Sequence, residues 1–416
     1  MIRRIFFVFL ILITTVLLAS PVAFGAEFDV ETATRAYLDQ LQGEKLERSN
    51  SYFEGGYWLI LWGTVVAVIA DGLFLKFRWS SKIRNFAERV IKWKWLQPAI
   101  YAVPYMFVSA LITLPWTIYT AYFREKSYGF VNQTFGAWFG EQLIGFVFGM
   151  IAISILLVIV FPIIRRFSKN WWILATAVTS VLLIVFISLA PVFLAPVFND
   201  YTEMESGPLK DEIIAMAKAY NVPADKIYVF NQSKQHDRIS ANVSGFGKTM
   251  RISLNDNLLN KGTPEEIKAV MGHELGHYVE GHVWRLILIL SALFGLGFFI
   301  ISRMVPKLIE RHGNKWGVRG VSDVAALPLF GIIFTLYFLA ITPLMNSLVR
   351  VNENHADAFG LEAAQEPDGF ASIAMKLSEY RKIEPTALEE LIFFTHPSGK
   401  TRVEAAMKWK AKHLDE

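Results

Sequence analysis

The chain has 416 residues, 53% of them apolar and 14% aromatic, with a mean hydropathy of +0.36, which places it in the membrane rather than among soluble domains. Its net charge of +4 is small, so the placement of Lys and Arg says more than their total. Cysteine is absent, which excludes disulfides, thiolate zinc sites and cysteine nucleophiles and leaves His, Asp and Glu to hold any metal.

At the N-terminus, Arg3 and Arg4 precede an apolar run that closes at Ser20 and Pro21, with small residues at Gly25 and Ala26. Residues 1–25 read either as a signal peptide or as a first transmembrane helix, and both send the acidic segment that follows out of the cytoplasm. Six later stretches are long and apolar enough to span a bilayer: about 57–77, 98–123, 142–161 and 171–196 within a transmembrane region 26–196, then 283–305 and 325–349 in a hairpin over 283–349. Asp71, inside the first of the six, is a candidate buried functional carboxylate whose partner the sequence does not show. The stretch "KFRWSSKIRNFAERVIKWKW" reads as a cytoplasmic loop with interfacial tryptophans, so no nucleic-acid partner is expected.

The polar stretches 197–282 and 350–416 emerge on one face and together form the candidate soluble domain. Lys and Arg set its side. Seventeen lie in the N-terminal pair and the short loops around 76–94, 165–169 and 303–319, against five in the short loops opposite. The polar domain is on the charge-poor side and is expected outside the cytoplasm. Within it, "KIYVFNQ" and "MRISLND" read as strands joined through "ANVSGFGKT".

The stretch "VMGHELGHYVEGH", residues 270–282, follows a helix start in which Thr263 is the N-cap, Pro264 the first residue and Glu266 completes a capping box. His273 and His277, four apart, project from adjacent turns of one face and can grip one zinc ion. Glu274, about 100° round from His273, can reach a water on that ion without being a ligand, as a general base must. His282 points to the opposite side of an ideal helix, so a helix-end or supporting role is expected of it instead of ligation.

A catalytic zinc needs a third protein ligand and an open position. In "LVRVNENHADAFG", Arg350, Glu353 and Asp357 share a helical face from which His355 points away. Spacing leaves two readings open. Glu353 is the third ligand and Asp357 accepts a hydrogen bond from a zinc-bound histidine, or the helix lies at the surface with Arg350 ion-paired to Glu353.

With "HELGH" and "ENHAD" stand "APVFNDYT", "LKDEIIAMA" and "GFGKTMRISLNDNLL" upstream and "HPSGKTR", residues 396–402, downstream. Over nearly its whole length the chain resembles the type I CAAX prenyl endopeptidases, a family of integral-membrane zinc metalloproteases. The resemblance implies an all-α polytopic membrane protein, about seven hydrophobic segments forming a helical barrel around a chamber, with a small α+β zinc-protease domain. It implies one zinc per chain, Glu353 as the third ligand, Asp357 as its supporting partner, and His396 and Arg402 stabilising the oxyanion or gripping the substrate. Ser240, Ala241 and Asn242 stand where many members carry Asn-Ala-aromatic on the substrate-lining strand, a departure that leaves backbone pairing of a peptide available. Eukaryotic members present the zinc site to the cytosol, whereas the charge pattern here implies a bacterial-type member of the inner membrane with its site outside. The expected activity is endoproteolysis of membrane-associated or lipidated proteins. A quality-control protease of the same chemistry, and a binding or transport protein with a structural four-ligand zinc, are the alternatives.

Overall fold

The structure, a computed structural model, describes residues 28–223, 226–245 and 250–414. The N-terminal segment 1–25 lies outside the described residues. Helix α1 (Val30–Leu38) leads into α2 (Gly43–Lys76), the short α3 (Trp79–Val90) and three long helices, α4 (Gln97–Ser127), α5 (Phe135–Arg166) and α6 (Trp171–Phe198). Strands β1 (Tyr201–Glu203), β2 (Ile227–Phe230), β3 (Ala241–Ser244) and β4 (Arg251–Asn255) follow, with α7 (Pro208–Ala219) between β1 and β2. Next come α8 (Asp256–Lys261), α9 (Pro264–Val279), the long α10 (His282–Trp316) and α11 (Val324–Ala364), then α12 (Pro367–Leu377), α13 (Ala387–Phe393) and α14 (Gly399–Lys412).

Six of these, α2, α4, α5, α6, α10 and α11, are long and apolar enough to cross a membrane. At most 44% of any span's apolar window is buried, and in α6 none is. A packed bundle would bury one face of every helix. These helices stand instead as a one-layer wall with side chains such as Phe148, Phe186 and Leu288 left exposed. The wall is knitted at one end by a core that includes Tyr101, Phe161, Trp171, Ile301 and Phe330. There Asp71 finds the partner that the sequence did not show. It accepts the Tyr105 hydroxyl at 2.6 Å, in a space left open by Gly331, where a Cβ would fall on its Oδ2.

The basic loops meet at that same end. Arg78 Nε donates to the Lys315 carbonyl at 2.9 Å, Arg84 pairs with Asp323, and Arg319 pairs with Glu88 at 2.7 Å. Helix α10 separates this end from His282 by its 35 residues, about 50 Å at 1.5 Å per residue.

The sheet has the order β1-β2-β4-β3, with β2 and β4 parallel and the outer pairs antiparallel. Strands β2 and β4 match the two strand readings. The "ANVSGFGKT" stretch is not merely a connection, because its residues 241–244 pair with β4 in the register Ala241↔Leu254 and Val243↔Ile252. Ser and Gly around a short β-branched segment masked that strand. Helices α7 and α9 cover the sheet through Ile213, Ile227, Ile252, Leu254, Met271 and Leu275. A second core joins Leu38 and Leu41 near the start of the chain to Phe370, Val403 and Met407 near its end, and Tyr37 donates to Asp368 across it at 2.8 Å.

Candidate active site

Helix α9 begins as its sequence dictates. The Thr263 side chain accepts from the Glu266 amide while Glu266 accepts from the Thr263 amide. The helix then lies directly on α11 because glycines remove the side chains between them. A Cβ on Gly272 would come within 2.8 Å of the Gly360 carbonyl, and one on Gly360 within 2.7 Å of the His273 amide. This backbone-to-backbone approach brings α11 close enough for Glu353 to reach the histidines.

The result is a convergence of three side chains. His273 Nε2 lies 3.1 Å from His277 Nε2 and 3.3 Å from Glu353 Oε2, and His277 Nε2 lies 3.6 Å from Glu353 Oε1. Donors about 2.0–2.1 Å from a tetrahedral zinc sit roughly 3.3 Å apart. The protons are arranged to match. His273 Nδ1–H donates to Asp357 Oδ1 at 2.7 Å, and His277 Nδ1 lies 3.0 Å from His282 Nδ1. A ring engaged at Nδ1 presents Nε2 as its ligating nitrogen, and both Nε2 atoms turn toward Glu353, whose buried Oε2 has no hydrogen-bond partner. A cation satisfies all three.

His282 reaches His277 because the helix does not continue. Gly281 adopts a left-handed conformation at φ 65, α10 starts afresh at His282, and the opposite-side geometry expected of an unbroken helix does not apply. His355 stands apart from the three converging donors, its ring 6.3 Å from that of His282. Arg350 is not paired with Glu353. Its Nη1 donates to the carbonyls of Glu390 and Phe394, both at 2.6 Å, and so fixes the segment that carries His396.

His396 Nε2 lies 3.2 Å from Glu353 Oε2 while its Nδ1 faces Thr395 Oγ1 at 2.9 Å. Burial, helped by the Arg381 guanidinium, pushes this imidazole down to about 3, so it is neutral. Arg402 is buried with two nitrogens on Asp357, Nε to Oδ2 at 2.9 Å and Nη2 to Oδ1 at 2.5 Å. That bidentate pair was not legible in the sequence.

A cavity of about 220 Å³ opens beside these groups. Glu274, His273, His396 and Arg402 line it, with Ser240 and Ala241 from the β3 edge. Burial pushes the Glu274 carboxyl up, and His273 and His277 draw it partly back. Asn242 is not in the lining. The Ser240 amide and carbonyl are both bonded to Asn255. Ile239, Phe370, Tyr380 and Arg381 also line the cavity. Sequence reasoning missed them because no spacing or motif sets them apart.

A wall of apolar helices closed at one end by a His-Glu-His helix and a carboxylate from a second helix defines a membrane-embedded metalloendopeptidase. The chain belongs to peptidase family M48, whose profile matches residues 203–410, and the profile described as CAAX prenyl protease N-terminal, five membrane helices, matches residues 29–200. It is 26% identical to the human CAAX prenyl protease 1 homolog over 94% of this chain and 89% of that one, and 24% identical to CAAX prenyl protease 1 of Saccharomyces cerevisiae over 88% and 86%. It is 28% identical to YhfN, an uncharacterized metalloprotease of Bacillus subtilis, over 79% and 78%. Its fold matches the crystal structure of S. mikatae Ste24p with a TM-score of 0.74 at 21% identity, covering 91% of this chain and 95% of that one. The family implies a metal, and the three converging donors fit one.

Proposed function

We propose that the protein is a zinc endopeptidase, binding one zinc per chain, that cuts membrane-associated or lipidated peptides in the cavity beside β3. The observation that carries the proposal is the meeting of His273 Nε2, His277 Nε2 and the Glu353 carboxylate next to a cavity that Glu274 also lines. Zinc held by these three side chains would polarise a water and the scissile carbonyl. Glu274, which is no ligand, takes the water's proton on its carboxylate and hands it to the leaving amine. Neutral His396 donates from Nε2 toward the oxygen on which charge develops. Arg402 acts through Asp357, holding the carboxylate that orients His273. The outer edge of β3 at Ala241 offers its backbone to an extended peptide.

Three protein donors beside an open cavity favour this reading over a structural zinc, which takes four. Relatives named CAAX prenyl protease favour lipid-bearing substrates. So does an apolar cavity of about 540 Å³ between α5 and α6, lined by Phe148, Ile155, Phe186 and Phe193. The seventeen-to-five charge pattern favours a site outside the cytoplasm. Membranes from cells carrying Glu274→Gln distinguish the substrate classes. Accumulation of full-length lipidated proteins supports the proposal, and accumulation of damaged membrane proteins alone points to quality control.

A further inference from the structure

A second group of metal-ligating side chains stands behind the catalytic histidines, and the chemistry proposed above does not use it. Glu280 closes α9, Gly281 turns the chain at φ 65, and His282 opens α10. His355 meets them from α11, where it points away from the face shared by Glu353 and Asp357. Each of the three offers one ligand atom, a carboxylate oxygen or a ring nitrogen, and these atoms lie within 4.8 Å of one another. The helices that carry them are fixed. Gly272 and Gly360 hold α9 backbone to backbone on α11, and Arg285 Nη1, one turn into α10, donates to Asn352 Oδ1 on α11 at 3.0 Å.

His282 is 4% exposed, and its Nε2 is buried with no hydrogen-bond partner. Its Nδ1 is taken by His277 at 3.0 Å, so Nε2 is the nitrogen that it can offer. An unpartnered buried nitrogen is costly, and a cation bound in place of its proton satisfies it. Glu280 and His355 are exposed, and among the described residues no hydrogen bond or ion pair occupies the Glu280 carboxylate or the His355 ring nitrogens. Both can therefore close on that cation. Two imidazoles and one carboxylate suit zinc and similar divalent ions better than calcium or magnesium, which prefer oxygen alone.

We infer that Glu280, His282 and His355 form a second, inhibitory zinc site that opposes the catalytic one through the contact between His282 and His277. The inference rests on the peptidase reading for what is inhibited. Two neutral imidazoles joined Nδ1 to Nδ1 carry one proton in that contact and one on an outer nitrogen. With the shared proton on His277 Nδ1, His277 Nε2 is free for the catalytic metal and His282 Nε2 carries the other proton. With the shared proton on His282 Nδ1, His282 Nε2 is free and the proton sits on His277 Nε2. A cation on His282 thus holds the pair in the arrangement that withdraws His277 from the catalytic metal. Filling both sites requires the contact to break. The catalytic position fills first, because two donors of the second site are exposed and the cationic Arg285 stands one turn away.

The test counts zinc on the purified full-length protein in detergent by elemental analysis after dialysis against rising concentrations of the ion. The wild type is expected to reach about two zinc per chain, the second bound more weakly, whereas His355→Ala and Glu280→Gln should each stop at about one. That one zinc shows the variants to be folded. Exchange of isotope-labelled zinc out of the catalytic site, in excess unlabelled zinc, should be about tenfold faster in the wild type than in either variant, within the usual range of coupling between two sites. Casein hydrolysis should fall as the second zinc enters the wild type and persist in both variants at the same zinc concentration. A wild type that stops at one zinc, variants that still take two, equal exchange rates, or inhibition that the variants share overturns the inference. Zinc counts and exchange rates do not depend on activity. If they behave as expected while no form of the protein hydrolyses casein, the second site stands and the peptidase reading fails.

Discussion

Asp357 accepts the Nδ1 proton of His273 at 2.7 Å while Arg402 grips both of its oxygens. The histidine's other nitrogen is thereby turned on Glu353. Asp357→Ala is expected to weaken zinc binding by about 10–100-fold, as loss of a supporting partner does, and Glu353→Ala to lower it further. His355→Ala should leave it unchanged, because that imidazole is not among the converging donors. Competition with a chromophoric chelator measures all three. A His355 variant that loses the metal while the Glu353 variant keeps it would show the third donor to be misassigned.

The metal-free protein should lose stability as the pH rises through the slightly alkaline range. Burial pulls His273 down, but the Asp357 and Glu353 carboxylates on its two nitrogens more than reverse this and carry it to about 9 from an ordinary 6.5. With the folded value above the unfolded one, the imidazolium contributes stability that is fully present below pH 6.5 and is lost as pH rises through 9. Zinc must displace the same proton, so its affinity should rise over this interval. Thermal melts of chelator-treated protein and zinc titrations at pH 6.5, 7.5 and 9 check both trends, and flat profiles would contradict them.

Gly360→Ala should separate α9 from α11, since the added Cβ meets the His273 amide at 2.7 Å and backbone cannot step aside as a side chain can. Such overpacking costs about 1–3 kcal/mol. Here it should also lower zinc occupancy by displacing Glu353. Gly56→Ala, where a Cβ meets nothing within 4 Å, should instead be neutral or stabilising by up to about 1 kcal/mol. Denaturation midpoints and metal analysis of the pair test whether the close approach holds the site together.

Much of this site was legible because local spacing encodes it. His273 and His277 at one helical turn, the Thr263 cap and the shared face of Glu353 and Asp357 all follow from a 3.6-residue period. The six long apolar helices were equally plain, since lipid demands a run that no soluble element needs. What was not legible depends on chain meeting chain. Nothing near Arg402 in the sequence announces Asp357. Glycine hid two other features, the turn at Gly281 that returns His282 to His277 and the weak β propensity around Ala241–Ser244 that made β3 look like a connection.

Orientation can be read chemically because the chain has no cysteine of its own. Single cysteines at Glu205, exposed in the polar domain, and at Lys82, exposed at the basic end, should report opposite faces. An impermeant maleimide applied to spheroplasts is expected to label the first and not the second. The reverse pattern would put the site in the cytoplasm.

The most direct measurement is made on purified Glu274→Gln. The substitution keeps the size of a side chain that lines the cavity without joining the metal donors, and removes only its ability to take a proton. Zinc should remain at about one per chain while cleavage of a membrane-associated reporter peptide falls by about 10²–10⁴-fold, the usual contribution of general acid–base catalysis. Hydrolysis at the wild-type rate with the metal still bound would contradict Glu274 as the base and, with it, the proposed chemistry of the site.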